Sequence, residues 1–212
     1  MVGGIDSSGE SMADISKDPL LLELPERIVG ERVLLRPLQA GDGAAFWEAL
    51  QESLEHLRPW QHWMDWYETP LHSEVAARRT YSHWVRRQTL VQGIWEKAGG
   101  RFLGTVALEH IDWTTRSFGV GYWLRASAEG HGFMTEAVRL VCRLAFEELG
   151  AQRLAIWCDA LNERSAAVPR RLGFVCEGRL RNERHNSRGE LQDTLVFSLI
   201  SNEYEKFRSQ FL

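Results

Sequence analysis

The order of hydrophobic patterns along the chain predicts one α/β domain, a mixed and mostly antiparallel central sheet flanked by helices. Three observations carry that prediction. Period-two apolar runs cluster in the middle of the chain, separated by Gly-rich or polar turns short enough for hairpins. Helical patterns lie both before and after that cluster, so helices flank the strands rather than forming a separate bundle. A length of 212 residues, 44% hydrophobic and 25% charged, fits one ordinary domain with a buried core and a small extension.

Residues 1–24 read as an N-terminal tail and 25–212 as the domain. Met1 to about Asp18 are rich in Gly, Ser and Asp, with too few apolar residues to offset the entropy of ordering. From Arg32, the run Val33-Leu34-Leu35-Arg36-Pro37-Leu38 reads as a strand, and Asp42 stands at an N-cap position before a helix over Ala44 to about Ser53. Trp60, Trp63 and Trp66 recur at spacing three, which places the indoles along one side of a helix beginning near Pro59. A further amphipathic helix runs from about Ser73 to Gln88. The period then changes. Ile94 to Lys97, the Gly99-Gly100 turn and Phe102 to Ile111 form a hairpin, and Ser117 to Leu124 adds a third strand of a meander. A helix from about Thr135 to Leu149 closes on Gly150 and leads into the strand Arg153 to Cys158. A short helix from about Ser165 to Leu172 ends at Gly173, and Phe174 to Glu177 and Thr194 to Ile200 supply the last strands around a polar excursion.

Composition narrows the partners. A net charge of −4 supplies no general cationic field for a phosphate backbone, so nucleic acid is excluded as a general partner. Cys142, Cys158 and Cys176 form no CxxC pair and have no matching histidine cluster, so no metal site is expected and the cysteines read as small buried hydrophobes. No apolar run is long enough to span a membrane and no signal-like segment opens the chain, so a reducing cytoplasm is the expected location.

The chemistry concentrates in two segments. In the first, Val120-Gly121-Tyr122-Trp123-Leu124 leads through Glu129-Gly130-His131-Gly132 into a helix opening at Phe133-Met134-Thr135. A glycine-bearing turn before a helix N-terminus offers free amides and a positive dipole end to an anion such as a pyrophosphate. A plain strand-to-helix turn needs glycine too, so this segment alone leaves both readings open. In the second, the strand Leu154 to Cys158 is followed by Asn162-Glu163-Arg164-Ser165, a short helix, Gly173-Phe174 and Glu177-Gly178. Together these segments resemble the cofactor-binding core of the GNAT acyltransferase superfamily. The Asn-x-x-Ser pattern with the following Gly-Phe and Glu-Gly steps resembles its RimJ/RimL branch, which includes ribosomal-protein N-terminal acetyltransferases. The similarity runs in order from Glu31-Arg32-Val33-Leu34-Leu35-Arg36-Pro37-Leu38, through Leu57-Arg58-Pro59-Trp60, to Asp193 and the last strand.

The resemblance implies acetyl-CoA bound where two neighbouring parallel strands, Ser117–Leu124 and Leu154–Cys158, splay apart. It implies pantetheine on the main chain of Tyr122, Trp123 and Leu124, with one N–H facing the thioester oxygen. Pyrophosphate is then expected on the turn of Glu129, Gly130, His131, Gly132, Phe133, Met134 and Thr135, with Asn162 and Ser165 completing the cofactor site. Glu129 departs from the family turn, where Gln or Arg is common, and brings negative charge toward that pyrophosphate; His131 or Arg125 are candidates to compensate. Ser165 matches the hydroxyl expected beside the thioester sulfur, as proton donor or hydrogen-bond donor, and is equally well placed as an ordinary first-turn serine. For the base, the branch points to the neighbourhood of Glu183, one place out of register with Arg184 in the matching position. Glu109 and His110, ending the central strand, are alternatives. Trp60 and Trp63 read as an acceptor-binding wall or as core packing. Asp193 reads as orienting the acceptor amine or pairing with an arginine. Pro169 lies inside the short helix, where it weakens a turn unless it falls early.

The chain thus reads as an N-acetyltransferase that moves an acetyl group from acetyl-CoA to a primary amine by direct attack, without metal. The acceptor is a protein N-terminus or a small-molecule amine, and a homodimer is expected. Two other classes remain beside it on the sequence: a non-catalytic CoA-binding sensor, and a nucleotide-binding α/β protein unrelated to CoA.

Overall fold

A computed structural model describes residues 18–186 and 189–210. Eight strands form one sheet in the order β1-β2-β3-β4-β5-β6-β8-β7. They are β1 (Ile28–Val29), β2 (Val33–Pro37), β3 (Leu90–Glu96), β4 (Phe102–Asp112), β5 (Ser117–Leu124), β6 (Arg153–Asp159), β7 (Val175–His185) and β8 (Leu191–Ile200). Helices α1 (Gly43–Leu57) and α2 (Pro70–Val85) follow β2, α3 (Phe133–Arg143) joins β5 to β6, α4 (Glu163–Arg171) joins β6 to β7, and α5 (Ser201–Phe207) follows β8. All neighbouring pairs are antiparallel except β5 with β6. That exception follows from connection length, because β5 and β6 are joined through a helix, as a parallel crossover requires.

Two apolar clusters hold the sheet. Met134, Ala137, Val138 and Val141 recur at three- and four-residue steps on α3 and pack against Val120, Leu124, Leu154 and Ile156. Phe46, Ala49, Leu50 and Leu57 of α1 bury against Leu38, Phe102 and Trp123. Because Leu124 joins the first cluster and Trp123 the second, β5 carries core on both faces, as strand alternation dictates.

Several local expectations change. Of the stretch expected as a tail, residues 18–24 are described: Pro19–Leu21 make a 3-10 turn, Leu22 and Leu24 pack on the core, and Arg87 Nη2 donates to the Leu22 carbonyl at 2.6 Å. Residues 1–17 lie outside the described residues. Asp42 does take the N-cap position of α1, but its side chain makes no cap bond; its carboxylate takes two Arg36 guanidinium nitrogens at 2.7 and 2.8 Å and the Gln39 N–H at 2.7 Å. The tryptophan segment is a short 3-10 helix, His62–Trp66, rather than an α-helix, and Met64 rather than an indole is its buried residue while Trp66 is 74% exposed. Helix α3 ends six residues early and passes into a π-turn, Leu144–Glu148, before Gly150 at positive φ reverses the chain. The polar excursion near residue 180 is instead the body of the β7–β8 hairpin, whose outer strand carries polar side chains on both faces and so shows no period-two signal.

Candidate functional site

Strands β5 and β6 pair at only three positions, Ser117↔Arg153, Phe118↔Leu154 and Gly119↔Ala155, and then diverge. β4 keeps its grip on β5 through Leu124, and β8 keeps its grip on β6 through Asp159. The divergence therefore opens a wedge between Val120–Leu124 and Ile156–Asp159, with backbone groups there lacking a sheet neighbour, and such groups call for a partner. Two cavities, of about 1420 and 760 Å³, reach this wedge and share Trp60, Gln61, Tyr122, Trp123, Asn162 and Ser165.

The larger cavity opens onto the glycine turn and the N-terminus of α3. Gly130 and Gly132 both take positive φ, 76° and 79°, so the chain can turn tightly at the N-cap of α3, where the first-turn amides of Phe133, Met134 and Thr135 have no intrahelical acceptor. The residues expected around the cofactor all line this cavity except His131. The His131 ring stacks on Phe133 at 6.0 Å, and its carbonyl accepts from Arg32 Nη1 at 2.7 Å. Arg125 does not compensate Glu129 either. Its side chain is 2% exposed, bonds Glu52 (2.9 Å from Nε), Glu48 (2.8 Å) and the Phe102 carbonyl (3.1 Å), and ties the end of β5 to α1. The Arg125 guanidinium holds the Glu52 carboxyl down at about 2. Glu129 itself is matched by two other groups: His56 Nε2 lies 2.7 Å from Oε1, and Arg164 Nη1 donates to Oε2 at 2.7 Å. Glu136, buried in the first turn of α3, accepts from the Arg32 N–H (2.8 Å), the Val33 N–H (3.2 Å) and Arg32 Nε (3.1 Å), which locks the turn to β2. Burial pushes that carboxyl up, but these donors prevail and hold it below the usual carboxylate range.

At the junction of the cavities, Asn162 caps α4 by accepting the Ser165 N–H at 3.0 Å. Pro169 has no N–H for the Ser165 carbonyl four residues earlier. The Tyr122 hydroxyl fills that role, donating to the Ser165 carbonyl at 2.9 Å, and accepts from Ser165 Oγ at 3.3 Å. Burial pushes the Tyr122 hydroxyl well above its ordinary value, so it stays protonated and keeps donating. The prolyl residue therefore leaves a carbonyl for a tyrosine on another strand to hold. No tyrosine lies between residues 159 and 178, and the one beside Ser165 comes from β5 instead.

The smaller cavity gathers the candidate bases. Glu109, near the end of β4, lies against Gly121, where a Cβ would sit 2.6 Å from its Oε1. Burial pushes the Glu109 carboxyl up, with His110 opposing, so it is poised to hold a proton nearer neutral pH than an exposed glutamate. The His110 ring stands edge-on to Trp157 at 5.8 Å. Glu183 and Arg184 both line this cavity, although neighbours on a regular strand face opposite ways. A bulge between Leu180 and Arg184, with Asn182 at φ 53°, turns them together, and Thr194 Oγ1 links them by donating to Glu183 (2.8 Å) and accepting from Arg184 Nε (3.1 Å). Asp193 does not line either cavity: it accepts from Arg179 Nε at 2.6 Å and the Asn182 N–H at 2.8 Å, bracing the bulge. Trp60 lines both cavities, while Trp63 lines the smaller one and also packs edge-on to Trp123 and Tyr67. Among the described residues no group of three or more His, Cys, Asp or Glu side chains is arranged to hold a metal ion, and no helix is long and apolar enough to cross a membrane.

The chain is similar to several known proteins. Residues 32–175 match the family model described as an acetyltransferase (GNAT) domain. The chain is 31% identical over 181 residues to the putative ribosomal N-acetyltransferase YdaF of Bacillus subtilis, covering 84% of this chain and 96% of that protein. A solved structure of a putative ribosomal-protein-serine acetyltransferase from Vibrio cholerae superposes with a TM-score of 0.69 at 26% identity, covering 82% of this chain and 97% of the other. The fold alone is shared with RimL, a ribosomal L7/L12 α-N-protein acetyltransferase solved with coenzyme A, at a TM-score of 0.76 and 19% identity over 83% of this chain and 98% of that one. With the family model spanning most of the domain and the parallel pair splayed above a glycine turn, the chain belongs to the GNAT acetyltransferase family and is an acetyl-CoA-dependent N-acetyltransferase.

Proposed function

We propose that the acceptor is a protein N-terminal α-amine of the kind carried by ribosomal proteins, attacked directly in a ternary complex. The observation that carries the reading is the pair of cavities meeting at Tyr122 and Ser165 beside the unpaired stretch of β5. The names of the B. subtilis and V. cholerae relatives support the ribosomal-protein class.

The residues present fit acetyl-CoA. The open edge at Val120–Leu124 suits an amide-bearing arm, and the Gly130–Gly132 turn with the first amides of α3 suits a pyrophosphate. Acetyl-CoA supplies the acyl group as a thioester; the new bond joins the acceptor nitrogen to the carbonyl carbon, and the carbon–sulfur bond breaks. Glu109 takes the proton released by the acceptor ammonium, since burial raises its affinity for a proton above that of an exposed glutamate. Glu183, held by Thr194, orients the ammonium, with Trp60 and Trp63 walling the acceptor. Ser165 supplies the hydroxyl for the departing sulfur: rotating its proton away from Tyr122 redirects the donor without moving the side chain. Main-chain N–H groups near Tyr122 to Leu124, on the stretch of β5 that β6 leaves unpaired, would donate to the thioester oxygen.

The test follows CoA release and product mass against N-terminal peptides of ribosomal proteins and a panel of small primary amines, with Ser165→Ala in parallel. Acetylated peptide, slowed by the substitution, is expected. Acetylation confined to small amines refutes the protein acceptor, and CoA binding without turnover on any acceptor points to the sensor class. We also place the protein in the reducing cytoplasm, consistent with its three free cysteines, and as a homodimer, which light scattering decides.

A further inference from the structure

Glu129 sits where an incoming phosphate would find negative charge, immediately before Gly130 on the turn that opens α3. Uncompensated, a carboxylate there opposes anion binding. Two nitrogen-bearing side chains reach it from separate walls of the cavity: His56 from the last turn of α1 and Arg164 from the first turn of α4. Each carboxylate oxygen takes one partner, Oε1 with His56 Nε2 and Oε2 with Arg164 Nη1, both at 2.7 Å. Arg164 Nη1 also lies within hydrogen-bond distance of His56 Nε2, at 3.3 Å, so the two side chains meet at the Glu129 carboxylate. All three residues line the larger cavity. Of the other arginines on the cavity wall, Arg32 holds Glu136 and the His131 carbonyl, while Arg139 and Arg171 line the cavity without contacting Glu129.

We propose that Arg164 and His56 are ligands for the cofactor's pyrophosphate, and that Glu129 is a resident stand-in anion that holds them in position until the pyrophosphate displaces it. The proposal rests on the acetyl-CoA reading of the larger cavity. Arg164 is 73% exposed on a long side chain, and tethering it to Glu129 fixes its direction before the ligand arrives, lowering the ordering cost of binding. A pyrophosphate carries more charge than one carboxylate and accepts charge-assisted bonds in the same geometry, so the exchange is favourable in the direction of binding. Glu129, already part-exposed, then turns to water. A cation that merely neutralised Glu129 would serve no purpose once Glu129 were gone, and that difference is measurable.

The experiment titrates CoA into the full chain by calorimetry, with no acceptor and no turnover, using wild type, Arg164→Gln, His56→Gln, Glu129→Gln and the Glu129→Gln/Arg164→Gln double variant. 3′-Dephospho-CoA serves as a second ligand, and thermal unfolding confirms that each surface variant is folded. Arg164→Gln is expected to weaken CoA binding about tenfold, the loss of one charge-assisted contact, and His56→Gln severalfold. Glu129→Gln binds as well as wild type or a few-fold tighter. The penalty of about tenfold for losing Arg164 persists in the Glu129→Gln background and persists with 3′-dephospho-CoA. The proposal is overturned if that penalty vanishes once Glu129 is neutral, if Glu129→Gln itself weakens binding tenfold, or if the penalty disappears with 3′-dephospho-CoA, which would assign Arg164 to the 3′-phosphate. A wild-type chain that binds no CoA overturns the acetyl-CoA reading and this proposal with it, whereas wild-type binding with any of the three adverse patterns overturns this proposal alone.

Discussion

Replacing Tyr122 by Phe removes one hydroxyl and two hydrogen bonds, to the Ser165 carbonyl at 2.9 Å and from Ser165 Oγ at 3.3 Å. The carbonyl cannot fall back on its own helix, because the residue four places on is Pro169 and has no N–H. A part-buried carbonyl left without a donor costs about 1–3 kcal/mol, and for a chain of this size each kcal/mol lowers Tm by about 2–4 °C. Turnover falls as well, by about tenfold if the loosened Ser165 forfeits about 1.4 kcal/mol of transition-state stabilisation. The decisive comparison adds Pro169→Ala, which returns an N–H to the Ser165 carbonyl. The change in unfolded-chain entropy on losing proline is common to both backgrounds and cancels in a double-mutant cycle. Pro169→Ala should therefore stabilise Tyr122→Phe by about 0.5–1.5 kcal/mol more than it stabilises wild type, the net worth of one hydrogen bond, while turnover stays low because Ser165 Oγ still lacks its partner. Thermal unfolding and steady-state kinetics on the four proteins measure both quantities. Equal effects of Pro169→Ala in the two backgrounds would refute the reasoning, since the tyrosine would then not be replacing the helical donor.

Glu109→Gln should lower kcat by about 10²-fold or more and abolish the acidic limb of the kcat/KM pH profile, as loss of a general base does. The same substitution should raise Tm at neutral pH: burial raises the Glu109 carboxyl, so its contribution to stability is present below the ordinary value of 4.5 and lost as pH rises, and the gain in Tm should shrink on acidification toward 4.5. Gly121→Ala puts a Cβ 2.6 Å from Glu109 Oε1, so the flexible carboxylate must swing aside; circular dichroism should report an intact fold while kcat drops, and an unchanged kcat would remove Glu109 from the base role. Glu136→Ala orphans the buried Val33 N–H at a cost of about 1–3 kcal/mol, read by urea unfolding. Because the Glu136 carboxyl is held below its ordinary value, its contribution is present above 4.5 and lost as pH falls, so wild type and Glu136→Ala should converge in acid.

Much of the scaffold was legible because its signals are local. The period-two runs of β2 to β6 landed within a few residues of the observed strands, and Gly150 and Gly173 marked chain reversals because positive φ is cheap only for glycine. The Gly130–Gly132 turn before α3 was readable for the same reason, since it needs particular residues at fixed short spacing, whereas the Asn162 cap of α4 emerged only in the structure. Polar strands and unusual helices were not. β7 is exposed on both faces and has no apolar alternation to detect, and a spacing of three cannot separate the 3-10 helix over residues 62–66 from the first turns of an α-helix.

The site divides along the same line. Sequence determined that a glycine turn, a serine at the start of a short helix and two acidic neighbourhoods exist, since each is a statement about adjacent residues. Tertiary structure alone decided their partners. Tyr122 meets Ser165 across 43 residues, and Glu129 meets His56 across 73 and Arg164 across 35. Glu183 and Arg184 face one cavity only because a bulge, braced by Asp193, breaks the strand's alternation. No periodicity encodes such pairs: they arise when a parallel pair of strands separates after three rungs and the side chains from four distant segments are left to satisfy one another across the gap.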